Sequence, residues 1–184
     1  TTYQSSVIAA EELRSEFPDA RIETVDTLCA SLGQGLLVWY AVQEKNKGGS
    51  IEAVRDWAEA HKLNLCHWFT VDDLHFLKRG GRVSAATAVV GSMLQIKPVL
   101  HVDNEGHLIN MGKARGRHAS LTALVDHMEQ TAIDPGAQTV FISHGDCLEE
   151  AERVADDVRK RFGVKEIIIN NVGPVIGAHS GPGT

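Results

Sequence analysis

Ile167-Ile168-Ile169 leads through Asn170-Asn171-Val172-Gly173-Pro174-Val175-Ile176-Gly177 into Ala178-His179-Ser180-Gly181-Pro182-Gly183-Thr184, and this passage decides how the chain is read. The three isoleucines are β-branched and read as a buried strand. Residues 170–177, punctuated by Gly and Pro, read as a slow turn. A strand thus delivers a histidine onto a glycine-rich loop. Gly181 and Gly183 open backbone angles closed to other residues, and Pro182 fixes the angle between them. Such a loop brings backbone N–H groups and small hydroxyls close to a ligand, and an anion suits it. The plainer alternative is a tight turn with an exposed histidine. The rest of the chain decides between them.

Upstream, residues 140–143 read as a strand and 147–162 as a long amphipathic helix, so the strand at 164–169 completes a strand–helix–strand passage. Residues 96–102 and 107–111 read as a hairpin around Asp103-Asn104-Glu105-Gly106. Pro98 suits an edge strand or a strand start. A helix follows over 119–131, giving a mixed sheet with helices on one face. Nearer the start, 3–17 reads as a helix, 21–25 as a short strand, and 27–46 as a helix capped by Asp26 or Thr27. Ser50 gives a third helix, to His61, only a weak capping signal, and 63–70 reads as the next strand. That order suggests a layered α/β fold on a mostly parallel sheet. Val71-Asp72-Asp73 opens something different. Asp72 caps a helix over 74–78 that runs into Arg79-Gly80-Gly81-Arg82-Val83-Ser84, and Ser84 caps an Ala-rich helix through Leu94. A boundary near Val71 divides the chain into 1–71 and 72–184.

The 184 residues can hold one sizeable core or two small domains. Apolar residues make up 43%, as in a globular protein, and no apolar run reaches membrane-spanning length. The polar, helix-like opening does not read as a signal peptide. A net charge of −6 argues against a nucleic-acid surface. Cys29, Cys66 and Cys147 form no CxxC and read as buried thiols of a reducing, cytoplasmic compartment, with metal or disulfide use as the alternative. None of the nine histidines forms the i, i+4 pair with a nearby carboxylate that a helical zinc site needs, so no metal site is expected.

Three clusters compete for chemistry. Lys78-Arg79-Gly80-Gly81-Arg82 could hold a phosphate, but it lacks the GxxxxGK[ST] and GxGxxG spacings and reads better as a helix C-cap flanked by solvated cations. Ser143-His144-Gly145-Asp146 follows a strand, where α/β ligands often bind. Adjacent residues rarely make a triad, because the three side chains must converge from separate segments. The His179 loop is the third cluster and the favoured one.

These residues carry a resemblance. Thr2-Tyr3-Gln4-Ser5-Ser6 is similar to the Gly-Thr-Tyr-Gln-Ser-Ala segment of the DegV family, and residues 69–84 resemble its long signature. Lys97-Pro98-Val99-Leu100, Lys113-Ala114-Arg115-Gly116-Arg117 and residues 178–184 match in the same order. The resemblance covers essentially the whole chain, and the stretch from Leu77 to Arg82 is specific. It implies an α/β protein of two domains. The first is a parallel α/β/α domain, incomplete here, and the second an α/β domain with a mixed sheet. It also implies a long-chain fatty acid buried between the domains, whose carboxylate is presented to the catalytic subunit of a separate fatty acid kinase. The protein would then be a carrier without catalytic residues of its own. The bound fatty acid would take the place of any cofactor, with at most transient membrane contact.

By the same resemblance His179 stands at the carboxylate, with Ser180, Thr2 and Thr1 as hydroxyl ligands. The family's carboxylate-binding Ser would fall one place before Thr1, and Thr1 stands where the family usually has Gly. A further Thr ligand and an opening strand would lie upstream, so the chain looks like a fragment. Burying about a dozen methylenes at ~0.8 kcal/mol each offers roughly 10 kcal/mol, enough to draw a fatty acid from a membrane. Its carboxylate must keep hydrogen bonds as it leaves water. Candidate tunnel residues are Met93, Val99, Ile168 and Val175, and Arg115 or Arg117 is the candidate dock for the kinase. The alternative is an α/β hydrolase or phosphotransferase acting on a small acidic substrate through His179 or the 143–146 turn. A hydrolase predicts a GxSxG elbow, and none occurs. A structural or regulatory interaction domain would leave the His179 loop without a ligand.

Overall fold

A computed structural model describes residues 2–84 and 95–184. Thr1 and the helix expected between Ser84 and Leu94 lie outside the described residues. The chain forms two compact units, one of residues up to 28 with 34–65, the other of 29–33 with the residues from 66 on.

The first unit is helical: α1 (Thr2–Glu16), α2 (Ser31–Asn46) and α3 (Ile51–His61). Helix α3 begins where Ser50 Oγ accepts the Ala53 N–H at 3.2 Å. The cap forms although position N3 lacks the glutamate of a capping box. Helix α2 starts later than expected. Asp26 Oδ1 accepts the Leu28 N–H at 3.2 Å, and Leu28 and Ser31 take left-handed angles of +54° and +49°. A right-handed helix cannot propagate through those residues.

The strand expected at 21–25 does not form. No described strand lies beside it, and side chains hold the extended segment instead. Glu23 pairs with Arg55 at 3.0 Å, Arg21 with Glu52 at 2.6 Å, and Arg14 donates to the Ile22 carbonyl.

Among its described residues the second unit carries two sheets. In the first, β1 (Trp68–Phe69), β2 (Ile96–Val102) and β3 (Leu108–Arg115) pair antiparallel in that order. The strand expected over 63–70 shrinks to β1, because Lys62–Asn64 turns as a 3₁₀-helix. The hairpin turn forms as expected, since Asp103 Oδ1 accepts the N–H groups of Glu105 and His107 at 3.0 and 2.8 Å. Pro98 lies in the middle strand, not at a sheet edge. Strand β1 reaches only His101 and Leu100, so no ladder bond is asked of Pro98 on that side. Its carbonyl instead accepts Thr70 Oγ1 at 2.7 Å.

The second sheet pairs β4 (Thr139–His144) with β5 (Glu166–Asn171) in parallel, so the unit contains both pairings, divided between two sheets. Helix α6 (Leu148–Phe162) joins them, with Glu149 and Glu150 in its first turn and Arg159, Lys160 and Arg161 in its last, as the helix dipole favours. Helix α5 (Arg117–Thr131) packs against both α6 and the first sheet. Two apolar clusters result, one around Val71, Leu74, Leu77 and Leu100 and the other around Val125, Val158 and Val164.

Two elements remain, and they carry the site. Helix α4 (Leu74–Arg79) is capped by Asp73, whose Oδ1 accepts the His75 N–H at 2.8 Å. Asp72, the expected cap, is drawn away by Lys97 at 2.5 Å. Helix α7 (Pro174–Ser180) occupies what the sequence suggests is turn and open loop. Pro174 sits at its first position, where a fixed φ and a missing N–H do no harm.

Candidate functional site

Helix α4 ends in a Schellman motif. Arg82 N–H donates to the Leu77 carbonyl at 2.8 Å and Gly81 N–H to Lys78 at 2.9 Å. Gly81 takes the left-handed angle of +71° that the motif needs. The basic Gly-Gly stretch is therefore the helix stop that its composition suggests.

It is also one wall of the site. The His179 ring lies directly over Gly80, so close that a Cβ there would collide with Nδ1. Two residues on, Gly181 lies under the Phe76 ring, where a Cβ would fall 2.6 Å from a ring carbon. Arg79 in turn covers Phe76, with its guanidinium carbon 4.6 Å from the ring centroid. The Lys97–Asp72 pair braces the same wall, and Asp72 abuts Gly183.

The β4–α6 turn forms the opposite wall. Gly145 N–H donates to the Thr184 carbonyl at 3.1 Å, and Gly183 N–H donates to the Gly145 carbonyl at 2.7 Å. Val172 N–H reaches the His144 carbonyl at 2.9 Å, which ties the exit of β5 to the same turn. The three clusters that compete in the sequence are thus neighbours in one place. Nothing in their spacing announces this, since they lie on three separate elements.

Within this place His179 is half-buried, neither the exposed residue of a plain turn nor a core histidine. Ser180 is 4% exposed, and its hydroxyl donates back to the Ile176 carbonyl at 2.9 Å. That bond commits the hydroxyl proton within α7. Thr2 is exposed at the start of α1. Of the tunnel candidates, Val99 is buried in β2, Ile168 is half-buried in β5 and Val175 is 70% exposed on α7. Met93 and Thr1 lie outside the described residues. Arg115 is exposed, whereas Arg117 is held by Glu150 at 2.7 Å.

Ser143 and His144 are consecutive on a strand, so their side chains leave it on opposite faces. His144 is buried, and its Nδ1 accepts the Cys147 N–H at 3.3 Å. No nucleophile–base pair arises there. At the β2–β3 turn, Asp103, Glu105 and His107 bring ligand atoms within 4.8 Å of one another. Asp103 spends its carboxylate on the turn's own N–H groups, which holds its pKa below the usual range. Phe76, Asp72, Lys97 and Gly145 brace the loop unforeseen. The one hint of them is that each sits in or beside a stretch already notable for Gly or charge.

The histidine near the end of α7, set among glycines beside the basic end of α4, marks the candidate site of an α/β protein. The chain belongs to the DegV family: the family model described as "Uncharacterised protein, DegV family" matches residues 1–184. A DegV domain-containing protein of Clostridium perfringens is 51% identical over 183 residues, which are 100% of this chain and 63% of that protein. The chain thus spans less than two thirds of the length of the curated relatives it matches.

Among solved structures, a DegV family protein of Thermus thermophilus, described for its fatty acid binding, is 33% identical with a TM-score of 0.82. That match covers 99% of this chain and 63% of that one. The Streptococcus pneumoniae Fatty Acid Kinase (Fak) B3 protein, loaded with linoleic acid, has the same fold, with a TM-score of 0.91 at 22% identity, covering 98% and 64%. No helix among the described residues is long and apolar enough to cross a membrane.

Proposed function

We propose that this chain is part of a cytoplasmic bacterial carrier of long-chain fatty acids, which presents the acyl carboxylate to a fatty acid kinase and does no catalysis itself. The observation that carries this reading is the His179 ring seated on Gly80 at the meeting of the family's signature stretches. Fatty acid binding in the Thermus thermophilus relative supports the ligand, and the kinase named with the Streptococcus pneumoniae protein supports the partner. In this reading His179 donates to the carboxylate, Thr1 and Thr2 contribute hydroxyl contacts, and Ser180 joins them by turning its proton from the Ile176 carbonyl to the ligand. Met93, Val99, Ile168 and Val175 line the acyl chain's path. Residues 1–71 belong to a first α/β domain and 72–184 to a second. One of two basic residues, the exposed Arg115 or the largely enclosed Arg117, receives the kinase.

The test is a titration of labelled palmitate or oleate on the full-length protein and its His179→Ala variant, with circular dichroism as the folding control. Affinity is expected to fall by about 1–3 kcal/mol, the cost of leaving a buried acceptor short of a donor. Acyl-phosphate formation should fall further, because positioning weighs more on reaction than on binding. Unchanged affinity and turnover in a folded variant would remove His179 from the site.

A further inference from the structure

Arg115 and Arg117 are two residues apart, yet their surroundings differ. Arg115 is exposed at the end of β3. The Arg117 side chain is only 17% exposed. Its Nε and Nη2 reach Glu150 Oε2 at 2.8 and 2.7 Å, and Nη2 lies 3.9 Å from Cys147 Sγ. Its Nη1 is buried with no hydrogen-bond partner among the described residues. A guanidinium enclosed in this way is costly to leave unpaired, and Glu150 supplies the pair.

What Arg117 grips is the first turn of α6. From that turn the Cys147 thiol donates to the Thr184 carbonyl at 3.4 Å, the carbonyl that also receives Gly145 N–H. Burial pushes the Cys147 thiol up, against the pull of Arg117, so the sulfur keeps the proton this bond uses. Gly183 N–H closes the circle on Gly145, and Thr184 Oγ1 donates to the Gly181 carbonyl at 2.9 Å. The far end of the glycine loop is therefore fastened to residues that Arg117 holds.

We infer that Arg117 is a positioning residue for the His179 loop: through Glu150 and Cys147 it sets the α6 turn on which Thr184 and Gly183 rest. The inference builds on the reading of this loop as the carboxylate site. It also removes Arg117 from the docking surface and leaves Arg115 there.

The experiment compares full-length Arg117→Gln, Glu150→Gln and Arg115→Glu with wild type. One arm is amide hydrogen exchange at Gly145 and Gly183, which needs neither lipid nor kinase. Arg117→Gln and Glu150→Gln should exchange roughly tenfold faster at both amides, and Arg115→Glu should not. The other arm is kinase turnover of the fatty-acid-loaded protein. Arg117→Gln should lower kcat with KM for the carrier unchanged, whereas Arg115→Glu should raise KM. Wild-type exchange in Arg117→Gln, or a change in KM alone, overturns the inference. If Arg117→Gln fails to fold, Glu150→Gln decides by the same exchange readout. A wild-type protein that takes up no fatty acid would defeat the carrier reading alone, since the exchange arm still reports on Arg117.

Discussion

Gly80 and Gly81 are neighbours that should fail in different ways. Gly80 has an ordinary right-handed backbone with φ −74°, so alanine fits its conformation and only the His179 ring objects. Gly81 has φ +71° and nothing within 4 Å of a built Cβ, so only its backbone objects. Gly80→Ala should therefore displace the imidazole, weakening fatty acid binding several-fold with little loss of stability. Gly81→Ala should cost about 1–2 kcal/mol of stability, the usual left-handed penalty, and leave affinity near wild type. Urea melts and a palmitate titration on both variants check the pair. A Gly80→Ala protein with wild-type affinity would show that the ring's seat does not matter to binding. His179 itself was legible in the sequence, because a histidine between a β-branched strand and Gly-Pro-Gly is conspicuous. Its seat was not, because Gly80 lies ninety-nine positions away and reads locally as a helix stop.

Among elements, the hairpin, the helix capped by Ser50 and the β4–α6–β5 passage were legible from turn chemistry, capping and β-branched runs. Two others were not. Gly173-Pro174 signals a turn to composition, but proline at a first helical position starts α7 equally well. The short strand at 21–25 was misread because extended residues need a paired neighbour, and side-chain ion pairs served instead.

Strand β1 adds an expectation about pH. His67, just before it, packs against Gly33, and burial first, then the charge of His101, lowers its pKa to about 4. The folded state thus binds fewer protons than the unfolded one, whose histidine titrates near 6.5. His67 stabilises the fold least in acid: its full contribution is present above about pH 6.5 and is lost as pH falls toward 4, by up to about 3 kcal/mol. Urea melts at pH 7.5 and pH 4.5 on wild type and His67→Gln should show a smaller pH dependence in the variant. Equal dependence would locate the acid sensitivity elsewhere.

At the scale of the molecule, the convergence of three stretches on one place is the result that no local signal carried. Residues 69–84, 143–146 and 178–184 meet because α4, the β4–α6 turn and α7 pack together, and packing of distant elements is what periodicity and propensity cannot report. Resemblance to a family, carried by residues 69–84 and 178–184 but not by 143–146, suggests the ligand without reporting that contact. Since the chain matches 63% of its Clostridium perfringens relative, the 184 residues alone are expected to bind fatty acid more weakly than the full-length protein. Equal affinity would mean that every carboxylate contact lies within them. The most direct test of the carrier reading is denaturing organic extraction of the purified full-length protein, followed by mass spectrometry of the extract. The account predicts a long-chain fatty acid approaching one per protein molecule. An extract without lipid, together with no uptake of labelled palmitate or oleate, would contradict it.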